Sequence, residues 1–573
     1  MGEPRPTAAA DVVRYHHDPE KFHSLHCYLH WSAEHVDDFI TGTLTPLMEG
    51  LRRNGTIADW FFIRYFDDGP HLRVRARGAE AHEHRRWQEQ LVAAARAADH
   101  PLLDLSTASR PGWPGHAQAR QVDYEPETGR YGGPAALPVA ETVFGTSSRI
   151  AAEVVARTPG PGQRMVAATD LVLATLIALD LDMLAAARWL RRSATAWRWH
   201  PESTTLTAGT VQGPALAAAT TQARSVVRRW HEITASAADG SRIRDRWAAQ
   251  VRAARAQLES SAGGGDQWAG VWASQLHMLL NRLGILPDEE RSLYHFLAAA
   301  LLAPDGPTDF FADGTDSPDR RYLAASSYAP GRIEGQRPRT SDRTRHGDRR
   351  RYGPPLALPP AAPVTAALGD ALTARASGRG TLCGPLDAAH LATLLWTASG
   401  ASDRAGRPGV RRPYPSAGAK YAVRLRVLAR DVAGVPAHQY DVDAESRLLL
   451  PTGPLPTDAE LATASMWFKA GPATQSADTP ASQERVDLSA LPALLGVYVD
   501  LPVLRATYGL RALRFGMLEA GHLAQNLALT AAATGLGLGM VGGFYDDIAH
   551  ELLLLDGVDE VLAYLLPVGR PAG

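Results

Sequence analysis

The sequence predicts an α+β protein of two domains, and three observations lead there. The chain has 573 residues, more than a single core usually organises. Its composition changes across residues 304–363, which are rich in Pro, Gly, Asp and Arg. On either side, short alternating strand patterns mix with helical spacing, and no internal repeat links the two blocks. Apolar residues make up 45% and charged residues 21%, which excludes disorder, collagen-like repeats and coiled coil as the main state.

In the first block, His23 to Trp31 alternates, with Leu25, Cys27, Leu29 and Trp31 on one face of a strand. Helical spacing follows from Val36 to Leu51. Trp60 to Arg77 reads as a hairpin turning at Asp67-Asp68-Gly69-Pro70. Helices are expected over 165–190, 215–237, 243–260, 267–283 and 288–303. The second block predicts helices over 366–376, 387–399 and 512–534, with strands over 421–430, 494–500 and 560–568. The stretch between the blocks carries the charge run Arg343 to Arg351, read as a solvated linker; a patch for an acidic peptide or RNA is the alternative.

Charge and cysteine usage narrow the setting. A net charge of −2 gives no whole-protein field for nucleic acid or membrane. Three of the 59 basic residues are lysines (Lys21, Lys420 and Lys469), so a catalytic lysine has few candidates while arginine clamps are plentiful. Cys27 and Cys383 form no disulfide framework, and Met1 to Ala10 has no apolar signal region, so a cytoplasmic protein is expected. Ala520 to Tyr545 is uncharged and long enough to span a bilayer. It nevertheless contains His522, Gln525 and Asn526, then Gly535, Gly537, Gly539, Gly542 and Gly543, and reads as a buried helix entering a glycine-rich turn.

Candidate chemistry begins with histidines. His23-x2-His26-Cys27-x2-His30 has some zinc character, but strand alternation sends His26 and Cys27 to opposite faces, so no metal site is expected. A stronger pattern is FFIRY, residues 61–65, followed by HLRVR, residues 71–75. Period-2 spacing puts His71, Arg73 and Arg75 on one face, either in water or around an anion. YEPETGRYGG (124–133) and HMLLNR (277–282) follow, with His277 and Asn281 sharing a helix face.

Those three phrases, in that order, resemble the C-terminal elimination domain of lantibiotic dehydratases, including the split forms of thiopeptide pathways. The resemblance covers residues 12–305. It implies β-elimination of glutamate from a glutamylated Ser or Thr of a precursor peptide. By that pattern Arg73, Arg75 and Arg130 hold the leaving glutamate and stabilise the developing enolate. Glu127 orients an arginine, and His277 is a general acid or base. Whether His277 handles the Cα proton or the leaving carboxylate stays open. Pyridine synthases and tRNA-dependent peptide ligases reuse the same fold. The retained Arg/Glu/His set favours elimination over both. The glutamylating step is expected on a separate tRNA-dependent protein.

In the second block, GLGMVG (537–542) fits a dinucleotide regex, but a helix precedes it where a strand is needed. Arg375-Ala376-Ser377-Gly378-Arg379 reads as a phosphate clamp at a helix end. RPYPSAGA (412–419), TYGLR (507–511), EAGHLAQN (519–526), Gly542-Gly543 and Arg570 complete the set. Together they resemble nitroreductase-like, FMN-dependent azoline dehydrogenases over residues 356–573, with 306–355 as linker. The resemblance implies a homodimer with FMN at its interface and oxidation of thiazolines or oxazolines to azoles. Arg375, Ser377, Arg379 and Arg570 would take the FMN phosphate. Ser416, Ala417 and Gly418 would contact the flavin, and Gln525, Gly542 and Gly543 would line its pocket. Many relatives carry Lys-Tyr where this chain has Thr507-Tyr508. Tyr508 is therefore the candidate base, a phenol with an ordinary pKa near 10. A silent module that presents peptide is the alternative. The whole resembles the bifunctional eliminase–dehydrogenases of lactazole-type thiopeptide pathways.

Overall fold

The computed structural model describes residues 21–105, 113–158, 160–200, 203–236, 242–262, 268–306, 308–312, 314, 316–328, 352–401, 411–471 and 484–572. The chain forms two compact units. The first holds residues 1–181 and 229–286, the second 182–228 and 287–573. These do not follow a single cut in the 306–355 stretch. That stretch includes a short helix, Pro318–Ala325, while the Arg343–Arg351 run lies outside the described residues.

The first unit is built on an antiparallel sheet of β1 (His23–Tyr28), β2 (Asp59–Tyr65), β3 (His71–Arg77) and β4 (Ala119–Asp123), in the order β2-β3-β1-β4. Alternation splits its residues cleanly. Leu25, Cys27, Trp60, Phe62, Leu72 and Val74 enter a core with Ile40, Leu44, Met48, Trp87 and Leu91. Burying each large apolar side chain there contributes about 1.5–3 kcal/mol. The other face presents Ser24, His26, Phe61, Tyr65, His71, Arg73 and Arg75. Register sets His26 and Ile63 beside Arg73, and Ser24 and Phe61 beside Arg75. The Leu137–Arg157 and Trp268–Arg282 helices pack on β2.

The predicted Val36–Leu51 helix is one continuous rod containing a π turn at Ile40–Leu44. Ser32 caps it by accepting from the His35 backbone N–H. The predicted 165–190 helix is instead two, Pro161–Ala178 and Met183–Ala196. Asp180 turns the chain at φ +62°, and Asp182 then caps the second helix by accepting from the Ala185 N–H at 2.7 Å.

The second unit has a sheet ordered β13-β14-β12-β7-β8-β9-β5, with β6 paired to β14. Its strands are β5 (Leu356–Ala357), β6 (Leu382–Cys383), β7 (Val423–Ala429), β8 (His438–Asp443), β9 (Leu448–Gly453), β12 (Ala493–Asp500), β13 (Gly537–Leu538) and β14 (Glu560–Pro571). A separate parallel pair joins β10 (Phe468–Lys469) and β11 (Val486–Asp487). All eight residues of β12 are buried, as a strand covered on both faces requires. The Ala388–Ser399 and Ala512–Ala533 helices pack against one another over one apolar core.

Helices Met183–Ala196 and Pro287–Leu302 also belong to this second unit, although they fall inside the first sequence block. Ion pairs explain why. Glu551 is fully buried and accepts from Arg291 (2.6 Å) and His295 (2.9 Å), while Arg191 and Arg192 pair with Asp547 (2.6 Å) and Asp556 (2.8 Å). Helical periodicity alone cannot show which half such helices join. Among the described residues, no helix is long and apolar enough to cross a membrane.

Candidate functional site

Two sites form, one in each unit. In the first, Arg73 lies over the Tyr65 ring with its Cζ 3.4 Å from the centroid, a cation–π contact. Its Nε donates to His71 Nε2 at 3.1 Å, and His71 Nδ1 bonds the Gly69 carbonyl at 2.8 Å. That pattern needs His71 neutral, with the proton on Nδ1, and burial lowers its pKa accordingly. His26 stacks on His71 at 4.8 Å. Burial, then Arg73, His71, Arg75 and Arg120, push the His26 pKa down to about 3.

Arg75 sits between Phe61 (5.4 Å) and Tyr124 (4.8 Å) and donates to Ser24 Oγ at 3.4 Å. Arg130 donates to Glu127 Oε2 at 2.9 Å and to Ser274 Oγ at 3.0 Å, and His277 stands one turn beyond Ser274 on the same helix. The fold thus joins the loop and helix phrases through Arg130 and Ser274. Arg75 feels the charge of both Glu127 and Arg73, so the strand arginines belong to the same neighbourhood. Asn281 is occupied elsewhere, bonding both backbone groups of Arg64 at 2.9 Å.

Cys27 is buried in the core, where burial raises its pKa to about 12, so it offers no thiolate. Among the described residues, no three His, Cys, Asp or Glu side chains gather to hold a metal ion. Sequence reasoning weighed His26 as a zinc ligand and gave no role to Tyr131 or Arg282. Those two stand inside the YEPETGRYGG and HMLLNR phrases, which was the available signal.

In the second unit, Ser377, Gly378, Arg379, Trp467, Val486, Met540, Val541 and Gly542 line a cavity of about 100 Å³. Gly378 N–H bonds the Leu538 carbonyl at 2.8 Å, and the Arg379 guanidinium lies 4.6 Å from the Trp467 ring centroid. A Cβ on Gly539 would strike the Gly378 carbonyl, so the glycine run serves close strand approach rather than a dinucleotide turn. Residues 375–379 follow the C-terminal end of the Leu368–Ala374 helix. The helix-dipole argument for a phosphate clamp therefore does not apply there, and the arginines alone supply positive charge.

Arg375, Ser416, Ala417, Gly418, Gln525, Gly543 and Arg570 are not among the residues lining that cavity. Gly543 borders it, since a Cβ there would sit 3.2 Å from Trp467 Nε1. Ser416 donates to Glu519 Oε2 at 2.6 Å and accepts from the Tyr421 N–H at 2.8 Å, which joins PSAGA to EAGH. Arg570 is engaged with the Pro385 carbonyl (3.2 Å) and His390 Nε2 (2.9 Å). Gln525 is exposed on the Ala512–Ala533 helix.

Tyr508 brings its hydroxyl against Gly418, and the stem of Lys420 lies at the same glycine. Lysine and tyrosine are thus neighbours in space although far apart in sequence. The loop holding Lys420 has Gly418, Ala419 and Tyr421 all at positive φ (58°, 51° and 48°), a strained arrangement for the two non-glycine residues.

Comparison with known proteins gives two consecutive family matches. The family model for the lantibiotic biosynthesis dehydratase C-terminus matches residues 23–301, and that for the nitroreductase family matches 372–570. A curated Methanocaldococcus jannaschii protein that carries the name nitroreductase is 31% identical over 203 residues, covering 35% of this chain and 90% of that protein. Among solved structures, the pyridine synthase TbtD from thiomuracin biosynthesis is 18% identical with a TM-score of 0.40, covering 50% of this chain and 98% of its own. The tRNA-dependent lantibiotic dehydratase MibB from Microbispora sp. 107891 is 21% identical with a TM-score of 0.34, covering 52% and 28%.

Proposed function

We propose that this chain, which belongs to the nitroreductase family through its C-terminal half and carries a lantibiotic dehydratase C-terminal domain in its N-terminal half, is a bifunctional tailoring enzyme of ribosomally made thiopeptides. The observation that carries the first activity is the cationic face of the β1–β4 sheet. Arg73, Arg75 and Arg130 approach one region where, among the described residues, Glu127 is the carboxylate hydrogen-bonded to any of them. An excess of fixed positive charge suits a departing carboxylate. In the reaction a base removes the substrate Cα proton, the Cβ–O bond breaks, the Cα=Cβ double bond forms, and glutamate leaves as its carboxylate. His277 is the candidate to carry a proton, Glu127 orients Arg130, and neutral His71 orients Arg73.

The second activity is azoline oxidation. The cavity lined by Ser377, Arg379 and Gly542 supports a flavin-phosphate site: its lining combines a cation and a hydroxyl with apolar Met540 and Val541. Arg375, Ser377 and Arg379 would hold the FMN phosphate, with Gly542 and Gly543 along its pocket. Arg570, already bonded to Pro385 and His390, is the weaker phosphate candidate. When bound, FMN supplies the two-electron oxidant that accepts a hydride from the azoline ring. Tyr508 takes the ring Cα proton, and the Lys420 stem packs at the same glycine as its hydroxyl.

Ser416, Ala417, Gly418 and Gln525 fit a flavin shared across a homodimer, because they stand apart from the cavity of their own chain. Leu368 (67% exposed) and Leu518 (60% exposed) lie on two helices that pack together, an apolar surface suited to such a dimer. The remaining partners are a glutamylated, azoline-bearing precursor peptide and a separate tRNA-dependent glutamylating protein.

One reconstitution tests both halves. Protein mixed with the partner glutamylating enzyme and an azoline peptide should release glutamic acid and remove two hydrogens per ring, read by mass. Purified protein should also show flavin absorbance or bind added FMN. Failure to release glutamate sinks the elimination; absence of flavin binding sinks the oxidation.

A further inference from the structure

An arginine in a protein interior ordinarily keeps a counter-charge, because removing an unmatched guanidinium from water is costly. Arg426 follows that rule. It is fully buried, with Nε 3.2 Å from Asp441 and Nη1 2.7 Å from Thr452 Oγ1. Arg291 follows it too, with Asp288 and Glu551 each at 2.6 Å.

Arg282 departs from the rule. It ends the Trp268–Arg282 helix at 0% exposure, and its Nε donates to the Phe62 carbonyl of β2 at 2.7 Å. Neither Nη1 nor Nη2 has a hydrogen-bond partner. The Phe144 ring lies 5.6 Å away and supplies no acceptor. After burial, the groups that act on its charge are Tyr131, which favours it, and Arg75, which opposes it; burial brings its pKa down to about 9. No carboxylate stands among them. Arg75 shares its strand face with Arg73, and the Phe61 ring beside Arg75 lies 5.1 Å from Phe144, so the unmatched guanidinium borders the candidate elimination site.

We infer that Arg282 is a substrate-binding residue whose two η nitrogens donate to a carboxylate of the departing glutamate. The inference rests on the elimination reading and deepens it. Glutamate leaves with two carboxyl groups, and one arginine cluster on the sheet face accounts for one of them. A buried second clamp would make the site select a dicarboxylate over a monocarboxylate of similar length.

The test follows elimination over a range of glutamylated-peptide concentrations for wild type, Arg282→Gln and Arg282→Lys, with free glutamate and γ-aminobutyrate as competitors. Wild type should be inhibited more strongly by glutamate than by γ-aminobutyrate. Arg282→Gln should raise KM about ten- to hundredfold and lose that discrimination. Arg282→Lys keeps the charge without the fork and should fall between. Unchanged KM and unchanged glutamate inhibition in both variants overturn the inference and leave the elimination intact. Wild type that releases no glutamate removes the elimination reading, and the inference with it. Should Arg282→Gln fail to fold by circular dichroism, calorimetric binding of glutamate to Arg282→Lys decides: an affinity equal to wild type overturns the inference.

Discussion

The helix ion pairs of the second unit and the candidate site of the first use the same residue type in opposite ways. In the second unit, Arg188, Arg191, Arg192, Arg198 and Arg291 each meet a carboxylate within 3.1 Å, and the result is a seam that holds helices to a sheet. At the first unit's candidate site, Arg73, Arg75 and Arg282 rest on aromatic rings, a histidine, a serine and a carbonyl, and of the four arginines there Arg130 has an acid; elsewhere in that unit Arg64 and Arg149 pair with Asp37 and Asp59. Matched arginines build the fold; arginines left short of anions mark where an anion arrives. Composition cannot make that distinction, because the chain has arginine almost everywhere.

The comparison breaks most visibly at Glu551. Glu551→Gln leaves Arg291 and His295 in the interior without their carboxylate, which should cost about 3–5 kcal/mol. A urea midpoint unchanged from wild type would show that the seam does not hold the second unit. Glutamate release by the first unit gives the contrasting readout. Arg73→Ala should slow elimination about 10²–10³-fold while leaving the urea midpoint near wild type, since Arg73 closes no ion pair among the described residues. Loss of stability without loss of rate would reverse the assignment.

Acid sharpens the same contrast. Burial disfavours the Glu551 carboxylate, but the His295 and Arg291 contacts outweigh it and hold its pKa at about 2 against an ordinary 4.5. A folded pKa below the unfolded one stabilises above pH 4.5, and that stability is lost as pH falls towards 2. The gap in urea midpoint between wild type and Glu551→Gln should therefore be flat above pH 4.5 and shrink below it. A gap that stays constant to pH 2.5 would rule out this carboxylate as the source. The smallest effect is expected at Lys420. Lys420→Met, which removes the cation of the loop beside Tyr508, should lower the rate of azoline oxidation about tenfold, with Lys420→Arg restoring most of it. Unchanged rates in both variants would remove Lys420 from the oxidation.

Much of this was legible in sequence where it depends on spacing along one element. Period-2 alternation placed Arg73 and Arg75 on the face opposite Leu72 and Val74, and the core confirms that split. The helix over 512–534 matches Ala512–Ala533 closely, because its length and its apolar residues at helical spacing favour no other element. What depended on distant pairing was not legible. Nothing in HMLLNR says that its final arginine lacks an acid, since that is a property of the surrounding Phe62, Tyr131 and Phe144. Lys420 looked irrelevant to Tyr508 for the same reason: a strained loop, not a sequence interval, brings them to one glycine. The helices around Arg191 and Arg291 were recognised as helices, but their partners Asp547 and Glu551 lie more than 250 positions away.

The chain's route between its units also governs the order in which it can fold during synthesis. It leaves the first unit at residue 181, returns at 229 and leaves again at 287. As the ribosome releases it, the first unit lacks its Arg282 helix until about half the message has been read. The Met183–Ala196 helix waits far longer, until Asp547 and Asp556 emerge to meet its arginines. A fragment that begins after residue 355 would inherit Glu551 without Arg291 or His295, and a fragment that stops near 305 would carry both without Glu551. Cutting this protein into separable enzymes therefore calls for moving helices, not for choosing a linker.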